Sequence, residues 1–147
     1  SDPATLSAGV AHRFDGEGGA LCTSPEGGVM SDGSATLTIR DPATFDVRRR
    51  VAVTLDGVAV GQLNELECVG EAVYANVWRS DQIVRIGRRD GRVNSLIEAG
   101  GLPLVRPSDT NAVLNCIAYR AQTGTFLLTG KLWPSLFEVT FAPQTPR

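Results

Sequence analysis

The chain has 147 residues, 42% of them hydrophobic, and its 14 basic and 16 acidic side chains leave a net charge of −2. That length suffices for one domain with a buried core, and charges so few and so mixed give no nucleic-acid or membrane-surface footprint. No apolar stretch approaches the ~20 residues needed to cross a bilayer, no charged and apolar leader opens the chain, and a single histidine, His12, rules out a His-rich zinc site or His-based triad.

In chain order, SDPATL reads as a tight turn, because Pro3 presets φ and Asp2 can cap its own backbone. VAHRF, from Val10 to Phe14, reads as a strand after it. The next unit is ALCTSPEGGVMSDGSATLTIRDPATFDVRRRVAV. It contains short apolar runs of about five residues bounded by turn residues, the pattern of many short strands. Its phrase DPATF repeats the opening turn between a third and a fourth strand. Asp32 in SDGS reads as a turn residue. Arg48-Arg49-Arg50 reads as a solvated strand face rather than a phosphate site.

LECVGEAVYANVWRSDQIVRIGRRDGRVNSLIEA repeats this grammar, with RRDGR as the corresponding turn. IAYRAQTGTFLLTGKLWPSLFEVTF repeats it for three strands. Val29 to Val73 is 44 positions, Leu37 to Ile83 is 46, and Val73 to Leu127 is 54, the excess lying in the loop GGLPLVRPSDTNAV. Four strands recurring about every 45 residues predict an all-β chain of four-stranded antiparallel β-propeller blades. A solenoid fits less well, because its strands pair in parallel and not through hairpins. The expected division is one partial domain over 1–147: the end of a blade at 1–15, blades at 16–56 and 62–99, and a last blade of three strands at 112–142. About three blades leave sheet edges open, where self-association is the expected remedy. Cys22, Cys68 and Cys116 show no CxxC or Cys/His spacing, so they read as small buried thiols and not as metal ligands.

Comparison of the units within the chain locates the polar residues. The second strands end in Ser31-Asp32-Gly33, Ala75-Asn76-Val77-Trp78 and Thr129-Gly130-Lys131-Leu132-Trp133. The first strands begin at Gly16-Glu17-Gly18-Gly19, Leu63-Asn64-Glu65 and Leu114-Asn115-Cys116. In a radial repeat these ends converge on one mouth of the central channel, a natural ligand site. Asn64 and Asn115 could equally satisfy backbone groups at a strand start. Trp133, followed by Pro134, reads as core packing, and Trp78 as either core or pocket wall. Lys131, inside the apolar run FLLTGKLW, requires a partner or ligand to offset its desolvation.

LNELECVGEAVYANVW (63–78), VLNCIAY (113–119), TGKLWPSLFEV (129–139), MSDGSATL (30–37) and GEG (16–18) together resemble the plant- and bacterial-type glutaminyl-peptide cyclotransferases. The resemblance covers nearly the whole chain. It implies a five-bladed propeller, of which this chain is the C-terminal portion, and an acyltransferase that needs no metal and no cofactor. The implied reaction cyclises an N-terminal glutamine of a peptide or protein to pyroglutamate and releases ammonia. On the resemblance, Asn64 and Lys131 are catalytic: Asn64 hydrogen-bonds the substrate, and Lys131 brings positive charge to the carbonyl or orients the catalytic acid. Trp78 walls the pocket, with Asn76, Glu65 and Asn115 as further substrate-binding residues. The family is commonly exported, which points to a secreted or periplasmic setting. Two positions depart from its pattern: Gly19 stands where it has tryptophan, and Cys116 where it has glycine. Its catalytic glutamate belongs to blades ahead of this chain and is none of Glu17, Glu65 and Glu67. A non-catalytic peptide-binding module, or an inactive fragment, is therefore the alternative.

Overall fold

The computed structural model describes residues 19–102 and 113–141. The turn expected at Asp2–Leu6, the strand at Val10–Phe14, His12, Glu17 and most of the loop after Gly101 lie outside them. Strands β1 (Leu21–Ser24), β2 (Gly27–Ser31), β3 (Thr36–Arg40) and β4 (Val47–Ala52) form one antiparallel sheet in that order. A two-stranded hairpin follows, β5 (Thr54–Leu55) with β6 (Val58–Ala59). The second four-stranded sheet runs β7 (Leu63–Val69), β8 (Ala72–Val77), β9 (Gln82–Gly87), β10 (Val93–Glu98). The third holds β11 (Leu114–Arg120), β12 (Thr125–Gly130) and β13 (Phe137–Val139). Among the described residues every element is a strand, and the two complete sheets are the up-and-down blades that the repeat predicts.

Local chemistry sets the turns. In DPATF the Asp41 carboxylate accepts the Ala43 and Thr44 N–H groups at 2.8 and 2.9 Å, and Phe45 N–H closes on Asp41 C=O at 2.9 Å. In RRDGR Asp90 accepts the Arg92 N–H at 3.0 Å. Gly91 there has φ 73°, and a Cβ would fall 2.0 Å from the Ala52 carbonyl oxygen, so a side chain cannot fit. The hairpin β5–β6 turns on Asp56 (φ 51°) and Gly57 (φ 81°), the two positive-φ residues of a type I′ turn. Sequence reading passes over this hairpin, although Asp-Gly between apolar residues is its signal.

The core lies in two layers between sheets. Leu37, Ile39 and Val29 of the first sheet pack against Leu63, Val73, Val84 and Ile86 of the second. Ile83 of the second packs against Leu114, Ile117, Phe126 and Leu128 of the third, with Tyr74, Tyr119 and Phe141 beside them. The middle sheet is thus covered on both faces, which is why AVYANV and QIVRIG read as nearly continuous apolar runs. β7 packs between β1 and β11, so the first strands of successive blades are neighbours.

The cysteines depart from expectation. Cys22 of β1 and Cys68 of β7 form a disulfide, and Cys116 is a free, exposed thiol. The cause is geometric: the two bonded cysteines occupy corresponding places on adjacent first strands, with Cα atoms 5.6 Å apart, inside the range a disulfide spans. The arginine run is solvated at Arg50, but Arg48 pairs with Asp41 at 2.8 Å and Arg49 with Glu26 at 2.6 Å. Glu26 also meets Arg88 of the second sheet at 3.4 Å, and Arg49 donates to the Arg88 and Arg89 carbonyls, so these charges tie the two blades together.

Candidate functional site

The second strands of all three blades end in comparable corners. Ser80 N–H bonds Val77 C=O and Trp133 N–H bonds Gly130 C=O, each at 3.1 Å, closing two equivalent turns. Arg79 and Leu132, both at φ 63°, fill the left-handed place of these turns, and Gly33, at φ 86°, stands in the matching place of the first blade. The residues just before them, Asp32, Trp78 and Lys131, therefore share one position of the repeat. Trp78 N–H bonds Gln62 C=O at 2.8 Å and Lys131 N–H bonds Val113 C=O at 2.9 Å. Each corner is thereby anchored at the residue preceding a first strand, beside Leu63-Asn64 and Leu114-Asn115.

Lys131 is exposed, and its side chain has no hydrogen-bond or ion-pair partner among the described residues. The strand ends at Gly130 and the turn carries the lysine outward, so the desolvation expected from its apolar neighbours does not arise. Trp78 is 46% exposed, with the Arg79 guanidinium 4.9 Å from its ring centre. It is exposed and not core. Trp133 lies against Gly130 and packs on the second core layer, as expected. Asp32 accepts the Ser34 N–H at 2.9 Å, and its pKa is held down first by the Ser34 hydroxyl and then by that N–H, in keeping with its reading as a turn residue.

At the first strands, β7 and β11 both open with an irregularity of register, between Leu63 and Leu66 and between Leu114 and Cys116. These bulges hold Asn64-Glu65 and Asn115. The Asn64 Nδ2 donates to Asn115 Oδ1, so the two amides the sequence singled out meet directly across the blades. Asn76 is different. It is fully buried, its Oδ1 accepting the Glu65 N–H at 2.8 Å and its Nδ2 donating to Leu114 C=O at 2.8 Å. The buried Ser31 hydroxyl stands in the corresponding place one blade earlier, donating to Asn64 C=O at 2.8 Å and accepting the Ala20 N–H at 3.2 Å. Both residues clasp their own first strand to that of the next blade. Sequence comparison quotes Ser31 without giving it a role, because it stands one residue before its corner and Asn76 stands two before.

Glu65 is half-buried, and that burial raises its pKa. Glu67, two residues on, accepts the Tyr119 N–H at 3.0 Å. The Cys116 thiol, though exposed at the surface, has its pKa raised first by its partial desolvation and then by the negative charges of Glu65 and Glu67. Among the described residues no group of His, Cys, Asp and Glu could hold a metal ion. Asn64, Glu65 and Trp78 of the second blade and Asn115 and Lys131 of the third thus lie at the same end of two adjacent blades, and Asn76 is buried beneath the bulge that carries Asn64 and Glu65.

The sequence model of a family described as "Glutamine cyclotransferase" matches residues 1–141. A glutaminyl-peptide cyclotransferase of Arabidopsis thaliana is 38% identical over 131 residues, covering 87% of this chain and 40% of the relative. The crystal structure of Myxococcus xanthus glutaminyl cyclase matches with a TM-score of 0.79 at 40% identity, over 87% of this chain and 56% of that one. The computationally designed Ika4 protein matches with a TM-score of 0.50 at 10% identity, over 90% of this chain and 96% of that one, a likeness of fold alone. The chain therefore spans about half or less of the length of its relatives.

Proposed function

The chain belongs to the glutamine cyclotransferase family, and on that premise we propose that its mouth binds a peptide or protein with N-terminal glutamine and takes part in cyclising it to pyroglutamate. In that reaction the α-amine nitrogen bonds to the γ-carboxamide carbon, the carbon–nitrogen bond of the amide breaks, and the amine proton leaves with ammonia. The observation that carries the reading is the shared corner position that sets an exposed aromatic ring, Trp78, and a cation without a partner among the described residues, Lys131, at the strand ends next to the paired amides of Asn64 and Asn115.

Each group has a task. Lys131 faces the carbonyl oxygen as negative charge develops on it, the kind of stabilisation worth most in a partly dehydrated site. Trp78 folds the glutamine side chain back toward its own amine, turning the attack into a positioned intramolecular step. Asn64 and Asn115 hydrogen-bond the substrate, and Asn76 holds the strands that carry them. These groups supply charge and shape but no proton carrier, so the shuttle is assigned to a carboxylate of the blades by which the relatives exceed this chain.

Ammonia release from a Gln-initiated peptide is the test. Lys131→Ala should abolish release while shifting stability by less than about 0.5 kcal/mol, as is usual for an exposed side chain without partners. Peptide binding with no release, by this chain and by the same residues within a full-length relative, would instead favour a binding module.

A further inference from the structure

We propose that Glu65 is the anchor for the free α-ammonium group of the substrate, the feature by which this mouth distinguishes an unblocked chain end from a blocked or internal glutamine. The inference rests on the reading of the mouth as an N-terminal-glutamine site and names the group that recognises the terminus.

The bulge at the start of β7 inserts one residue between the Leu63–Val77 and Leu66–Ala75 pairs. Asn76 fixes it by accepting the Glu65 N–H from a fully buried position, so the backbone that aims Glu65 is held and not loose. The carboxylate it presents is half-buried and has no hydrogen-bond or ion-pair partner among the described residues. This sets it apart from the other half-buried carboxylates of the blades. Glu26 and Asp41 pair with arginines, and Glu67 accepts a backbone N–H. Withdrawing an ionised group from water with nothing to balance it is costly, and the cost is recovered when a cation arrives.

The neighbouring amides give the mouth a polarity. Asn64 gives one of its two Nδ2 hydrogens to Asn115 Oδ1, which leaves the Asn64 Oδ1 as an acceptor beside Glu65 and the Asn115 Nδ2 as a donor on the β11 side. With the Glu65 carboxylate the acceptors are concentrated on β7, while the charged donor, Lys131, stands beyond β12. A primary ammonium has three donors and no acceptor, and a carboxamide carbonyl needs donors. An N-terminal glutamine matches both halves in one orientation, with its ammonium on Glu65 and Asn64 and its side-chain carbonyl toward Asn115 and Lys131.

Calorimetric titration of the chain with Gln-Ala-Ala and with N-acetyl-Gln-Ala-Ala tests this. The unmodified chain should prefer the free-amine peptide by about tenfold or more, the value of one charge-assisted contact. Glu65→Gln should bind the two alike, Glu65→Asp should keep part of the preference, and Lys131→Ala should weaken both peptides while the preference stays. If Glu65→Gln retains the full preference, the anchor is elsewhere and the glutamine reading survives. If the unmodified chain binds neither peptide, both readings fall. Should Glu65→Gln not fold, as seen in its urea transition, the charge-retaining Glu65→Asp decides: an undiminished preference overturns the anchor.

Discussion

Replacing Asn76 with alanine removes the two hydrogen bonds by which its side chain ties β7 to β11, and leaves the Asn64–Asn115 and Glu67–Tyr119 bonds in place. The side chain is 0% exposed, so the Glu65 N–H and the Leu114 C=O would be stranded out of reach of water. Each buried group left unsatisfied costs about 1–3 kcal/mol, giving about 2–6 kcal/mol for the pair. Against a total stability of about 5–15 kcal/mol this is a severe loss. A urea denaturation slope of about 2 kcal/mol per molar converts it into a midpoint lower by about 1–3 M. Asn76→Asp separates the two bonds. It keeps an acceptor for the Glu65 N–H but sets a carboxylate oxygen against the Leu114 carbonyl, a repulsion that protonation relieves. The aspartate variant should therefore be least stable at neutral pH and recover as the pH falls. A midpoint shift below about 0.2 M for the alanine variant would refute the clasp, since it would mean that both stranded groups find other partners.

Three other outcomes follow from the packing. Glu26, hydrogen-bonded chiefly by Arg49 and also by Arg88, has its pKa lowered from 4.5 to about 2. Its contribution is present above pH 4.5 and lost as the pH falls toward 2, so Glu26→Gln should flatten the stability profile across that window; parallel profiles would count against the inter-blade ion pair. Reducing Cys22–Cys68, which closes a loop of 46 residues, should cost about 4 kcal/mol on the chain-entropy account, read as a lower melting temperature that Cys22→Ser reproduces and that reductant does not lower further. Gly130→Ala would place a Cβ within 2.4–2.6 Å of the Trp133 ring, so it should destabilise by about 1–3 kcal/mol and change the fluorescence of Trp133; a neutral effect would mean that the ring moves freely.

What the sequence discloses here is what local chemistry decides. The blades are legible because each turn carries its own instruction: Asp41 capping DPATF, Asp90 capping RRDGR, and apolar runs of strand length between them. The gathering of Asn64, Trp78, Asn115 and Lys131 at one end also follows from aligning the chain with itself. What escapes is decided between blades. Lys131 reads as desolvated because its sequence neighbours are apolar, whereas the strand stops at Gly130 and the corner turns the lysine into solvent. Asn64 and Asn76 look alike in sequence, yet one faces the mouth and the other is sealed beneath it. The distinction depends on which faces of β7 and β8 meet their neighbours. Cys22 and Cys68 are 46 positions apart, the same interval as Leu37 and Ile83. That coincidence was the available signal for their pairing, and an odd number of cysteines concealed it.

The disulfide also bears on where such a chain can be made. At synthesis rates of about 5–20 residues per second, several seconds separate the emergence of Cys22 from that of Cys68, and through that interval the first cysteine waits as a thiol. Cys116 follows as a competitor for either partner. Correct closure then depends on the second blade setting its first strand beside the first before the third arrives, and on an oxidant being present when it does. Glutathione-buffered cytosol would keep all three thiols reduced, whereas a secretory lumen, a periplasm or the extracellular space would let the pair close and persist.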